Sequence, residues 1–209
     1  RTVGAVSAFA GFVVAAVFAG VLFDRSATPE ALLSESMIRD ELGALAQLLL
    51  AITGAVVVFV SWSEPRRDHH GEYYSLLAAA GAGMIFFVQA ENLMTLFLGL
   101  EWFSLCLYIL VAFDTERPTS LEAGLKYVIV GGFGSAVLLF GSALVFGATG
   151  ELGFSQIAAA EAGDDAFLVA GLAMILAALA QSDVKRILAF SSVSHAGFML
   201  IAIAAGTER

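Results

Sequence analysis

Stretches of membrane-crossing length that carry no charge recur along this chain. Windows free of Asp, Glu, Lys and Arg extend from Val3 to Phe23, Leu42 to Trp62, Ser75 to Ala90, Tyr127 to Gly150, Ala166 to Ser182 and Ile187 to Gly206. A spanning helix needs about 20 residues, because the hydrocarbon core is roughly 30 Å thick and a helix rises about 1.5 Å per residue. A further stretch, Met94 to Phe113, has the same length and holds a single charge, Glu101. Lipid offers the backbone no hydrogen-bond partners, so repeated windows of this kind imply an all-α polytopic membrane helix bundle of about seven spans. Ser75–Ala90 is short, and Tyr73 and Tyr74 are expected to lengthen it by anchoring at the interface.

A soluble core would need polar helices around it. Here 59% of residues are hydrophobic, 14% are charged and the mean hydropathy is +0.89. The net charge of −9 argues against a nucleic-acid partner. The single cysteine, Cys106, lies inside an apolar segment, so there is no disulfide or cysteine metal framework to read. His69 and His70 are adjacent in a polar loop, which favours a solvated loop over a metal site. Arg1 runs directly into a long apolar window, unlike a secretory signal, and an N-terminal part is expected to precede it.

No soluble domain is expected that could house a flavin, an iron–sulfur cluster or a nucleotide. The cluster Gly131-Gly132-Phe133-Gly134 falls within a spanning window and lacks the strand of a dinucleotide fingerprint. Gly131 with Ser135, and Gly132 with Ala136, instead make small-xxx-small pairs for close helix packing. The loops 24–41 and 151–165 read as surface straps or interfacial helices, with a helix start at Thr28 (N-cap) and Pro29 (first position).

Counting the N-terminus as the first junction, alternate junctions hold Arg1, Arg66, Arg67, Arg117, Lys185 and Arg186, against Arg25, Arg39 and Arg209 on the other side. By the positive-inside rule the first group faces the cytoplasm, with the N-terminus of this chain inside.

Chemistry is expected from polar groups within the apolar segments. A carboxylate near a bilayer centre costs at least about 2.5–3.5 kcal/mol, so Glu101 needs a partner or a task. Lys126 and His195 are the other ionisable groups in or at the edge of spans. Burial raises a carboxyl pKa and lowers those of lysine and histidine, so all three are expected to change protonation near neutral pH, which suits a proton relay. Gln89, Ser104, Ser191, Ser192 and Ser194 can hold bridging waters. Each ionisable group also has a structural reading. Glu101 can lock helices through a hydrogen bond, and His195, one turn after Ser191, can be a packed core residue. Lys126 can snorkel or pair with Glu122 in the favourable i,i+4 order.

The run Glu91-Asn92-Leu93-Met94-Thr95-Leu96-Phe97-Leu98-Gly99-Leu100-Glu101, continued by Trp102-Phe103-Ser104-Leu105-Cys106-Leu107-Tyr108, resembles a signature helix of NADH-quinone oxidoreductase subunit N. That subunit is an antiporter-like protein of respiratory complex I. Glu122-Ala123-Gly124-Leu125-Lys126-Tyr127-Val128 is similar to the next helix, and Ser182 to Gly197 resembles a later block. The resemblance implies a proton-translocating subunit, coupling quinone reduction to proton transfer through Glu101, Lys126 and His195. It also implies no cofactor bound by this chain, NADH and quinone being substrates of the complex. Other membrane-arm subunits and the lipid bilayer would be its partners, and the inner (plasma) membrane its location. The alternatives are a subunit of a multisubunit cation/proton antiporter and a structural subunit without its own proton path.

The same resemblance divides the single membrane domain, 1–209. Residues 1–173 match first-repeat helices, whereas 174–209 look like the end of a later-repeat helix and the helix after it. The join near Met174 omits the lysine that usually pairs with the family's buried acid.

Overall fold

Five of the apolar windows become helices long and apolar enough to cross a membrane. The computed structural model describes residues 2–23, 29–33, 35–62, 69–160 and 166–179. The spans are α1 (Thr2–Phe23), α2 (Glu41–Ser61), α3 (His70–Val88), α4 (Leu93–Val111) and α5 (Pro118–Thr149). The fold is the expected polytopic membrane helix bundle. A short α6 (Phe154–Ala159) and α7 (Ala166–Leu179) follow, and a hairpin of β1 (Glu30–Leu32) and β2 (Met37–Arg39) separates α1 from α2. At about 1.5 Å per residue, the described part of α7 is roughly 21 Å long, shorter than a full crossing. It is one unbroken helix through Met174. The expected span Ile187–Gly206 lies outside the described residues.

Helices α1, α2 and α3 pack as a trio, α3 passes contacts on to α4, α4 to α5 and α5 to α7. The trio closes around Phe12, 6% exposed, whose ring takes the space that side chains at Gly54 on α2 and Gly81 on α3 would need. The larger core lies along α3, α4, α5 and α7, centred on Leu96, Leu100, Leu138 and Ile175. Of the five spans α4 is the most enclosed and α1 the least. The large apolar side chains left outward, such as Phe18, Phe59, Leu98 and Phe133, suit hydrocarbon or neighbouring helices.

Two sequence expectations change, and a third is filled in, since Tyr73 and Tyr74 do lengthen the third span, α3 starting at His70. The stretch through Pro29 starts a strand rather than a helix, and Glu30 pairs with Arg39 across the hairpin by register and by an ion pair. Pro fixes φ near −65°, which serves a turn or strand edge as well as a helix start. Tyr74 is only 3% exposed and its hydroxyl donates to the Ser61 carbonyl at 3.3 Å, so it packs against the end of α2. Helix α5 begins nine residues before its apolar window, with Pro118 in the first turn. Its 32 residues make about 48 Å of helix, more than the hydrocarbon needs.

The hairpin also stitches one end of the bundle. Ile38 N–H donates to Gln89 O at 2.8 Å and Glu91 N–H to Ser36 O at 3.0 Å. Leu93 N–H donates to Leu152 O, and Phe154 N–H to Glu91 O, each at 3.0 Å. The segments before α2, between α3 and α4, and after α5 therefore sit at the same end, as the alternation of spans requires. Two side chains start helices from this strap. Asp40 Oδ1 accepts from Gly43 N–H at 2.6 Å, and Asn92 Oδ1 from Thr95 N–H at 2.7 Å. Both are N-caps that satisfy donors a helix leaves free.

Candidate functional site

Helix α4 carries apolar residues on nearly every face, so its few polar groups define the site. Glu101 sits near the middle of the helix, between the fully buried Leu100 and the outward Trp102. Its Oε1 is enclosed and has no hydrogen-bond partner among the described residues. A buried polar atom without a partner loses about 1–3 kcal/mol, more when charged, and this is a position where a proton, a water or another helix supplies the missing bond.

Ser104 and Tyr108 lie three and seven residues after Glu101, on the same helical face. Both are buried, at 2% and 7% exposure. Across the seam, α5 presents Tyr127, Gly131 and Ser135 at intervals of four, again one face. The Tyr108 phenol crosses to α5 because Gly131 has no side chain, and its oxygen fills the space a Cβ there would take. Ser104, one turn before Tyr108 on α4, and Ser135, one turn after Gly131 on α5, are buried on the faces that meet at this seam. Ser135 is itself 5% exposed. The Tyr108 and Tyr127 rings meet edge to face, centroids 4.8 Å apart and planes at 87°, a favoured arrangement of their quadrupoles.

The three sequence candidates fare differently. Glu101 is at the seam as described. Lys126 is on the outer side of α5, its side chain 70% exposed, paired with Glu122 one turn earlier. Gly124 faces Ala112 at the far end of α4. Lys126 thus lies roughly 15 Å along the helix axis from Glu101, at about 1.5 Å per residue, and the two do not meet directly. His195, with Ser191, Ser192 and Ser194, lies outside the described residues. Of the small-residue pairs, Gly131 and Ser135 are buried in the seam, whereas Gly132 and Ala136 face outward.

Sequence reasoning picked out Ser104 but not Tyr108, Tyr127 or Ser135 as parts of the site. The available signal was spacing. The sets 101/104/108 and 127/131/135 each define one face, and one of them contains a glycine.

Outside the membrane, Glu91 lies in the strap beside Asp40 and Glu35. Partial burial, and then those two negative charges, push its carboxyl above the ordinary glutamate value.

Residues 90–177 and 164–209 match the family described as "NADH:quinone oxidoreductase/Mrp antiporter, TM". A curated relative, NADH-quinone oxidoreductase subunit N 1 of Herpetosiphon aurantiacus, is 26% identical over 261 aligned positions, covering 84% of this chain and 53% of its own. That alignment is longer than this whole chain, so the relative has a stretch without a counterpart here. The chain spans about half the length of the curated relatives it matches. Among solved structures, respiratory complex I from Thermus thermophilus with bound aureothin contains a chain of similar fold. It superposes with a TM-score of 0.68 at 23% identity, over 97% of this chain and 60% of that one. The Mrp complex from Dietzia sp. DQ12-45-1b gives 0.74 at 20% identity, over 86% and 36%.

Proposed function

The chain belongs to the NADH:quinone oxidoreductase/Mrp antiporter transmembrane family, and we propose that it is part of a proton-translocating membrane subunit of a quinone-reducing complex. Glu101 is its proton-exchanging carboxyl. The observation that carries this reading is the enclosed Oε1 at mid-span, without a hydrogen-bond partner among the described residues, on the helix face that also carries the buried Ser104 and Tyr108. The enclosed oxygen must find its missing hydrogen bond in whatever approaches the seam, a water or a charged group. This is the behaviour required of a group that loads and unloads protons as its surroundings change. Lys126, at the loop end of α5, is positioned to exchange protons with the aqueous side, and His195 belongs to the continuation of the path.

Electron transfer is assigned to other subunits of the complex, where NADH and quinone react, and neighbouring membrane subunits are the partners of the outward apolar faces. The cytoplasmic side is the one carrying the α4–α5 loop, and the membrane is the inner (plasma) membrane.

The test is Glu101→Gln in the assembled complex, reconstituted in vesicles, with quinone reduction and proton uptake measured together. Fewer protons per quinone reduced, or slower coupled turnover, is the expected result. Unchanged stoichiometry and rate would discard the proposal. Sodium–proton exchange without electron transfer would instead favour an antiporter subunit.

A further inference from the structure

Helices α3 and α4 approach each other backbone to backbone, and two glycines, one on each helix, make room for the approach. A side chain begun at Gly99 on α4 would place its Cβ 2.8 Å from Phe87 Cα and 3.1 Å from Phe87 N on α3. One begun at Gly83 on α3 would lie 2.9 Å from Phe103 N and 3.1 Å from Trp102 Cγ on α4. Packed carbon atoms prefer about 3.5–4.0 Å, so neither helix leaves space for a methyl group. The Phe87 and Phe103 rings close the same contact edge to face, centroids 5.6 Å apart and planes at 82°, and both are buried. Gly99 and Phe103 stand two residues either side of Glu101. At about 100° per residue, each lies roughly 160° around α4 from it. Glu101 therefore points away from the helix that grips its neighbours.

We propose that Gly83 and Gly99 are positioning residues for Glu101, seating α4 against α3 at the depth and rotation that keep the carboxyl oxygen enclosed. The inference rests on Glu101 exchanging protons. Its direction follows from what lies behind α3. The Phe12 ring of α1 fills the notch at Gly81. The Tyr74 hydroxyl donates to Ser61 O on α2 at 3.3 Å, and Ile38 N–H of the hairpin donates to Gln89 O at 2.8 Å. Helix α3 is thus held from its far side and at its end, whereas Glu101 on α4 is bordered by the exposed Leu98 and Leu105. A methyl group added at Gly99 displaces α4, along the line on which Glu101 points. Restoring ordinary contact takes about half an ångström or more. Near a reacting group a 1 Å misplacement costs about 10²-fold in rate, so roughly tenfold is expected for half that distance.

The experiment uses the assembled complex in vesicles, with Gly99→Ala, Gly83→Ala, Glu101→Gln and the double variant Gly99→Ala/Glu101→Gln. Gly71→Ala is the control, since an added Cβ there, also on α3, meets nothing within 4 Å. Alanine favours helix over glycine at all three positions, so the control isolates the contact. Coupled pumping should be about tenfold slower in Gly99→Ala and Gly83→Ala and unaltered in Gly71→Ala. The carboxyl C=O band that Glu101→Gln removes from the infrared difference spectrum should shift in both slow variants, a change that loosened packing elsewhere would not produce. The double variant should pump no more slowly than Glu101→Gln alone. If Gly99→Ala and Gly83→Ala assemble and leave pumping and the band unaltered, the positioning role is overturned and that of Glu101 stands. A further loss in the double variant also overturns it, because the glycines would then act through something other than Glu101. Normal pumping in Glu101→Gln overturns the parent reading. Should neither alanine variant assemble, Phe103→Leu removes the ring contact without a clash, and an unmoved band there overturns the positioning role.

Discussion

The Tyr108 hydroxyl occupies the place of the missing side chain at Gly131. A Cβ built on Gly131 would also lie 2.8 Å and 2.9 Å from two carbons of the phenol ring, which is closer than packed atoms tolerate. Gly131→Ala is therefore expected to push the phenol out of the seam and to destabilise the protein by about 1–3 kcal/mol, the usual cost of overpacking. Combining it with Tyr108→Phe should recover part of the loss, since removing the oxygen frees the tightest contact. Thermal unfolding of the four proteins measures the coupling. Strict additivity of the two changes would show that the residues do not share this space.

The Lys126–Glu122 pair calls for a different expectation. Both side chains are mostly exposed, at 70% and 61%, and exposed i,i+4 pairs contribute only about 0.3–0.5 kcal/mol. Glu122→Gln should therefore leave the melting temperature almost unaltered, and Lys126→Met likewise. If Lys126 exchanges protons at the loop end, Lys126→Met slows coupled pumping while stability holds. Intact pumping and quinone reduction in Lys126→Met would reduce the lysine to a surface pair.

The spans were readable in the sequence because hydrocarbon imposes a length and excludes charge, so the windows ending at Phe23 and Trp62 translate almost directly into α1 and α2. Glu101 was readable for the same reason, as an exception that must be compensated. The hairpin was not readable. Its turn has left-handed φ at Leu33 and Glu35, without the Asn-Gly or Gly pair that usually signals such a turn. Nor was the Tyr108–Gly131 meeting. Periodicity fixes which residues share a face of one helix, but the face it meets depends on packing of small residues at the seam, and Gly131 and Gly132 offered two equivalent choices. Only the first lies in the seam.

Glu91 gives the strap a pH dependence. Burial first, and then the charges of Asp40 and Glu35, raise its carboxyl above the ordinary value of 4.5. The folded protein then holds this proton more tightly than the unfolded chain does. The contribution to stability is present below the ordinary glutamate pKa and is lost as pH rises through the raised folded value. The wild-type melting temperature should decline over that interval, and Glu91→Gln should flatten the decline and melt higher at neutral pH. The backbone bonds from Glu91 to Ser36 and Phe154 do not depend on the side chain, so the variant isolates the charge. An unaltered pH profile in Glu91→Gln would show that the strap's acids do not interact.

Asn92 ties that strap to the helix bearing Glu101. Its extended backbone (φ −139°, ψ 160°) and its Oδ1, accepting from Thr95 N–H at 2.7 Å, make it the N-cap of α4. The residue also bridges to Gly153 after α5. Asn92→Ala removes the cap acceptor and should cost about 0.5–2 kcal/mol, the range for a lost N-cap. Asn92→Asp keeps an acceptor and adds negative charge at the positive end of the helix dipole, a gain of about 0.3–1 kcal/mol in isolation. The neighbouring Glu91 opposes that gain when it is ionised. Asn92→Asp should therefore recover most of the stability lost in Asn92→Ala at mildly acidic pH, and less of it at neutral pH. Substituting Glu91→Gln in the same background should remove the difference between the two pH values. Equal melting of Asn92→Ala and wild type would show that α4 starts independently of this cap, and that the strap does not control the helix that holds Glu101.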